Sequence, residues 1–225
     1  MSLFHEMAAK NQPLTLLNTY RGIPIDFPAQ ICQVEQGYVK VKVVAYQVAC
    51  LALDNSTFIK GDQLPTTFQA RVVAVNVSNH EATLTEFFPV DNSIGKRGHI
   101  RVQPQEPMDA EIRSGDQRTT GKLADISSFG LGVYTFATYF YGDIRFKKGE
   151  DIWIEINFPG SEIPTIFQGT VTSILHQSAT FLSRVGVQIK PDSLDSLLEQ
   201  YVFSRQEEIL QELELVYASM CKENK

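Results

Sequence analysis

The amino-acid sequence predicts a mainly β protein: two small antiparallel β-barrel domains followed by a C-terminal α-helix. Three observations carry this reading. Apolar and polar residues alternate with a period of two in several short runs between residues 39 and 189. Turn residues separate those runs with no long helical pattern between them, which favours antiparallel barrels over a parallel sheet. After Ser193 the apolar period lengthens to that of a helix.

Taken in order, a short helix is expected from Leu3 to Lys10. Val39, Val41 and Val43 alternate with Lys40 and Lys42, as in a half-buried strand. Phe68, Ala70, Val72 and Ala74 repeat the pattern, and Ala82 and Leu84 follow an Asn79-His80 turn. Gly37, Asn55, Gly61 and Pro65 punctuate these runs. Residues 1–90 read as an N-terminal β-rich accessory domain with no motif that attaches to chemistry. A linker over 91–101 opens with the polar run Asp91-Asn92-Ser93-Ile94-Gly95. Residues 102–192 read as the second barrel. There Met108, Ala110 and Ile112 alternate with Asp109, Glu111 and Arg113, and Ile152, Ile154, Ile156 and Phe158 with Trp153, Glu155 and Asn157. Phe167, Gly169, Val171, Val185, Val187 and Ile189 continue the series. Trp153, opposite Ile152 and Ile154, is expected to pack under the C-terminal helix or the neighbouring domain.

In residues 193–225, Pro191-Asp192-Ser193 supplies a helix start. Leu194, Leu197, Leu198, Tyr201 and Val202 share one face, which Ile209, Leu210, Leu213, Val216, Tyr217 and Met220 extend. One small barrel cannot cover so long a stripe. Either the helix lies across its own two domains, or Ile209, Leu213, Val216 and Met220 pair with a second copy in a homodimer.

Composition narrows the function classes. A chain of 225 residues with 43% hydrophobic and 20% charged residues is that of an ordinary globular protein. Its net charge of −6 argues against attraction of the whole molecule to a nucleic acid polymer or an anionic membrane. Any bound anion must therefore be held by a local basic cluster. Cys32, Cys50 and Cys221 form no CxxC pair and read as buried or incidental thiols of a reducing compartment. No signal peptide is recognised and no apolar run approaches transmembrane length, so a cytoplasmic protein without membrane insertion is expected.

Two motifs stand out. Arg97-Gly98-His99-Ile100-Arg101 is an RxxxR segment preceded by Lys96. Asp125-Ile126-Ser127-Ser128-Phe129-Gly130 is a DxSxxG segment followed by Leu131-Gly132-Val133. A chance RxxxR is expected roughly 0.4 times in such a chain and a DxSxxG only ~0.05 times, so the ordered pair is far more specific than either part. Together they resemble the signature of the PilZ family, whose members bind the bacterial second messenger cyclic di-GMP. Arg184-Val185-Gly186-Val187-Gln188-Ile189 is similar to that family's closing strand. The resemblance covers about residues 95–192. The N-terminal domain is similar, in position and class only, to the accessory β domain of flagellar-brake-type receptors.

The resemblance implies cyclic di-GMP as ligand, no other cofactor and no metal, with Arg97, Arg101, Asp125, Ser127 and Gly130 binding it and Lys96 as a further contact. The chemistry agrees. An Arg fork can bond the N7 and O6 acceptors of guanine bidentately, stack on the purine, or grip phosphate oxygens. A carboxylate at Asp125 suits the N1–H and N2–H2 donors on guanine's other edge. Ser127 can bond a base or phosphate, or fix the turn. Gly130 would permit a positive φ or a close approach without a Cβ clash. His99 is expected to face solvent or act at a distance from the ligand.

Catalysis is not expected. Gly130-Leu131-Gly132 lacks the rest of a dinucleotide fingerprint, no GxSxG is present, and His5, His80, His99 and His176 have no metal-ligand spacing. The family implies a receptor that changes its interdomain arrangement and signals to a protein partner in motility, adhesion or exopolysaccharide secretion. A ligand-independent interaction adaptor of the same fold is the alternative. A small-barrel nucleic-acid binder would need aromatic residues on a basic strand face, and only Lys40 and Lys42 hint at one.

Overall fold

The computed structural model describes residues 1–90, 99–136, 146–177 and 182–223. Contacts divide the chain into one unit of residues 1–98 with 208–225, and a second of residues 99–207. Each unit is built on a closed, six-stranded antiparallel barrel, as the alternation predicts.

The first barrel comprises β1 (Leu14–Tyr20), β2 (Ile23–Glu35), β3 (Tyr38–Lys42), β4 (Ser56–Lys60), β5 (Thr67–Asn76) and β6 (Glu81–Val90). The order β1-β2-β3-β6-β5-β4 closes through pairing of β1 with β4. Leu14, Leu16, Val39, Val41, Ile59, Ala70 and Leu84 fill it, and helix α1 (Ser2–Ala9) adds Phe4 and Met7 to the same core. Each large aliphatic side chain so buried contributes about 1.5–3 kcal/mol. The alternation fails within β5. Ala74, expected inward, is exposed, because a register shift between Val72 and Ala74 turns the rest of β5 over.

Helix α2 (Ala45–Leu53) interrupts the β series and is not foreshadowed by the sequence pattern. Gln47, Val48, Ala49, Cys50 and Leu51 are all buried, so the helix lacks the polar face that makes a period of 3.6 visible. Val44 precedes it without a side-chain cap. Burial, with the nearby Asp54 charge adding to it, pushes the Cys50 thiol up to about 12, which makes it an inert core group. Gln47 joins a buried polar knot centred on Asn18. The Asn18 amide donates to Asp54 Oδ2 at 3.0 Å and to the Ser56 carbonyl at 2.9 Å. Its oxygen accepts from Gln47 Nε2 and Thr57 Oγ1, both at 2.7 Å.

The second barrel comprises β7 (Asp109–Ser114), β8 (Gln117–Ser127), β9 (Gly130–Phe136), β10 (Asp151–Ile156), β11 (Thr165–Gln177) and β12 (Leu182–Ile189). The order β10-β11-β12-β9-β8-β7 closes through β10 and β7. Its core holds Ile112, Ile126, Leu131, Val133, Ile154, Phe167, Val185 and Val187. Trp153 is not covered as expected. It is 49% exposed on the outer face, opposite Arg113 of β7 and Gln168 of β11.

After a short 3-10 turn at Pro191–Ser193, helix α3 (Ser196–Glu223) completes the chain. Its stripe is covered in part by its own chain, whereas Leu197 and Leu210 are exposed. Ile209 and Leu213 are both 0% exposed, and Tyr217, Met220 and Cys221 pack against the first core. Val216 is half-buried. Polar contacts follow the same side: Arg21 pairs with Glu212 at 3.0 Å, the Tyr46 hydroxyl bonds Glu214, and Tyr217 bonds His80. Residues 196–207 group with the second unit and 208–223 with the first. Among the described residues, no helix is long and apolar enough to cross a membrane.

Candidate functional site

The DxSxxG motif is the end of one strand and the turn into the next. Ser127 of β8 pairs with Gly130 of β9, leaving Ser128 and Phe129 at the tip. The Ser127 hydroxyl donates to the Gly130 carbonyl at 2.9 Å and is buried, so it fastens the turn. Gly130 does not need a positive φ. A Cβ there would lie 2.6 Å from the Val187 carbonyl oxygen, so the glycine permits close approach of β12.

Asp125 follows a register shift between Leu123 and Asp125, a bulge that re-aims the side chain. Its carboxylate gathers two guanidinium groups. Arg184 Nη2 bonds Oδ2, and Arg101 Nη1 approaches Oδ1 at 3.5 Å. The Arg184 side chain is 20% exposed, against 34% for Arg101. Arg101 is therefore the partner closer to solvent and the one held less tightly.

Arg184 reaches Asp125 across a glycine. On the β12–β9 ladder Arg184 faces Tyr134, whereas Asp125 faces Gly132 on the β8–β9 ladder. A Cβ on Gly132 would come within 2.5 Å of Arg184 Nη2, so the missing side chain is the channel in which the guanidinium lies. Arg101 is placed by its neighbour. The Val102 N–H donates to the Ile126 carbonyl at 2.8 Å and the Ile126 N–H to the Val102 carbonyl at 2.9 Å. Val102 is completely buried, and alternation along an extended chain turns Arg101 outward beside Asp125. Two residues earlier, the His99 ring lies 4.1 Å from the Phe129 ring, centroid to centroid, tilted by 36°. His99 thus stacks on the motif while remaining exposed, as expected.

The structure brings Arg101, Asp125, Ser127 and Gly130 to one edge of the barrel. Lys96 and Arg97 lie outside the described residues. Three further residues were not singled out as site residues from the sequence: Arg184, Gly132 and Phe129. Arg184 precedes the inward Val185 by one position, which signals an outward side chain, but the identity of the neighbouring strand is a tertiary fact. Chemically, two Arg forks around one carboxylate leave an excess positive charge for phosphate, and the exposed Phe129 offers an apolar ring face for a base. Among the described residues, no group of three or more His, Cys, Asp or Glu could hold a metal ion.

Two glycine variants separate turn packing from arginine placement. Gly130→Ala sets a Cβ against a backbone oxygen that cannot yield without moving β12, and is expected to cost about 1–3 kcal/mol. Gly132→Ala meets the far end of a flexible side chain, so its cost should be the smaller, while Arg184 is displaced from Asp125. Urea unfolding of both variants checks the order; equal losses would count against it.

The model for the PilZ domain matches residues 95–204. An uncharacterized protein of Aquifex aeolicus (strain VF5) is 31% identical over 120 residues, 53% of this chain and 54% of that protein, so the match spans about half of the relative's length. The solved inhibitor of motility of Bacillus subtilis, MotI/DgrA, is 14% identical with a TM-score of 0.42, covering 88% of this chain and 97% of its own. YcgR from Escherichia coli, solved in complex with c-di-GMP, is 14% identical with a TM-score of 0.40, covering 100% of this chain and 93% of its own. Residues 95–204, which hold the Arg-carboxylate cluster and the DxSxxG turn, are thus the part of this chain that matches the PilZ domain.

Proposed function

We propose that this protein is a non-catalytic receptor for cyclic di-GMP, whose ligand occupies the edge formed by Asp125, Arg101 and the Phe129 turn and is also bound by Arg97. The observation that carries the reading is the convergence of Arg101 and Arg184 on Asp125, inside the segment that matches the PilZ domain. Arg101 exchanges its long contact with Asp125 for the ligand's phosphate or guanine acceptors. The carboxylate keeps Arg184 and, with about four lone-pair sites, accepts the N1–H and N2–H2 donors of guanine. Arg97 grips from the same segment and Lys96 adds charge. Ser127 and Gly130 hold the turn that presents these groups.

The output is a changed arrangement of the two domains. The linker over 91–101 carries both Arg of the RxxxR motif, so a ligand that grips them favours one arrangement by the difference in affinity for the two. The surface then offered goes to a protein partner of the motility or secretion machinery. The protein works in the cytoplasm, where this second messenger is made.

Calorimetric titration of the full chain tests the receptor reading. Binding in the micromolar range or tighter is expected, with the dinucleotide recovered intact. Absence of any heat at ~100 μM ligand would sink it, since ~1 μM affinity corresponds to about −8 kcal/mol. Hydrogen exchange tests the switch. Ligand should protect residues 93–102 strongly, 125–130 less, and part of 1–90. Unchanged exchange throughout 1–90 at saturation would remove the switch and leave the receptor.

A further inference from the structure

Arg205 occupies a position on α3 where the pattern calls for an apolar residue. Leu198, Val202, Ile209 and Leu213 lie along the same helical stripe, and all are buried. Arg205 is itself only 2% exposed. A guanidinium so far from water is costly unless its donors are used, so the position calls for a specific polar duty.

That duty is visible in its bonding. Arg205 Nε donates to the backbone carbonyl of Gln103 at 2.9 Å. Gln103 is next to Val102, whose backbone is clamped to Ile126, and two residues from Arg101. Pro104 follows and confines Gln103 to an extended conformation. Residues 101–103 are therefore held from two sides, by β8 through Val102 and by α3 through Arg205. Nothing in the DxSxxG or RxxxR motifs points to a residue a hundred positions downstream.

We propose that Arg205 is a positioning residue for cyclic di-GMP binding: it pins the Gln103 carbonyl and so keeps Arg101 aimed at Asp125 before the ligand arrives. This inference rests on the receptor reading above. Pre-ordering the segment removes an entropy cost that the ligand would otherwise meet on binding.

The test uses the full chain carrying Arg205→Met or Arg205→Lys, each checked for native circular dichroism. Arg205→Met should raise the Kd for cyclic di-GMP about tenfold, the scale of one lost ordering hydrogen bond, and Arg205→Lys should lose less. Combined with Arg101→Ala, either change should add less than its single effect, since Arg205 acts through Arg101. Without ligand, amide exchange over 99–104 should accelerate in both variants while β10 and β11 stay protected. Should Arg205→Met fail to fold, the Lys variant and its exchange pattern decide. A role confined to stability would lower the melting temperature yet leave Kd and the coupling to Arg101 unchanged, and that result would overturn the inference. Loss of binding by the unaltered protein would instead overturn the receptor reading, so the two failures are told apart.

Discussion

Replacing Arg101 with Ala is expected to weaken cyclic di-GMP binding by about 1.5–3 kcal/mol, roughly 10- to 150-fold, while the chain stays folded. The size follows from losing a charge-assisted, two-pronged bond to phosphate or guanine. Folding is spared because the Arg101 side chain is a third exposed and its contact with Asp125 is long, at 3.5 Å. Arg97→Ala should have a similar effect. Lysine at either position should not restore full affinity, since an ammonium cannot reproduce the planar fork. Calorimetry with circular dichroism on each variant is the check. Normal affinity in a folded variant would reduce that Arg to an ordinary linker residue.

Asn18→Ala is expected to destabilise the first barrel by about 2–4 kcal/mol. The substitution removes four hydrogen bonds at once and, more importantly, orphans groups that cannot reach water. Gln47 is 0% exposed and Thr57 1%, and both donate to the Asn18 oxygen. Leaving buried donors without an acceptor costs more than the same bonds would contribute at a surface. Because the knot joins β1, β4 and α2, the loss should appear as lower cooperativity of the first unit in denaturant unfolding. Binding of cyclic di-GMP should change little, since Asn18 lies in the core of the first barrel and Asp125 on the second. A loss below about 0.5 kcal/mol would mean that the knot is not a stabilising centre.

What the sequence could express, it expressed through local periods and local motifs. Val39-Val41, Ile152-Ile154-Ile156 and Val185-Val187 alternate because one strand face meets a core, so the barrel strands are legible. Ala74 was misplaced because a bulge shifts the phase without any Gly or Pro to announce it. Helix α2 was hidden because burial on nearly all sides erases amphipathic contrast. The apolar stripe on α3 was readable, but not what covers it. A period reports that a face is buried and says nothing of the surface it is buried against.

The site divides in the same way. The sequence by itself determined the paired motifs, the acidic residue that anchors them and the glycine in the turn, because these are contiguous and chemically specific. Only the tertiary structure decided that Arg184 shares Asp125, that Gly132 leaves the channel for it, and that Arg205 holds Gln103 from a distant helix. The reason is physical. Strand pairing and helix docking bring together residues separated by dozens of positions, and the order of strands around a barrel is set by register and packing that no local period records.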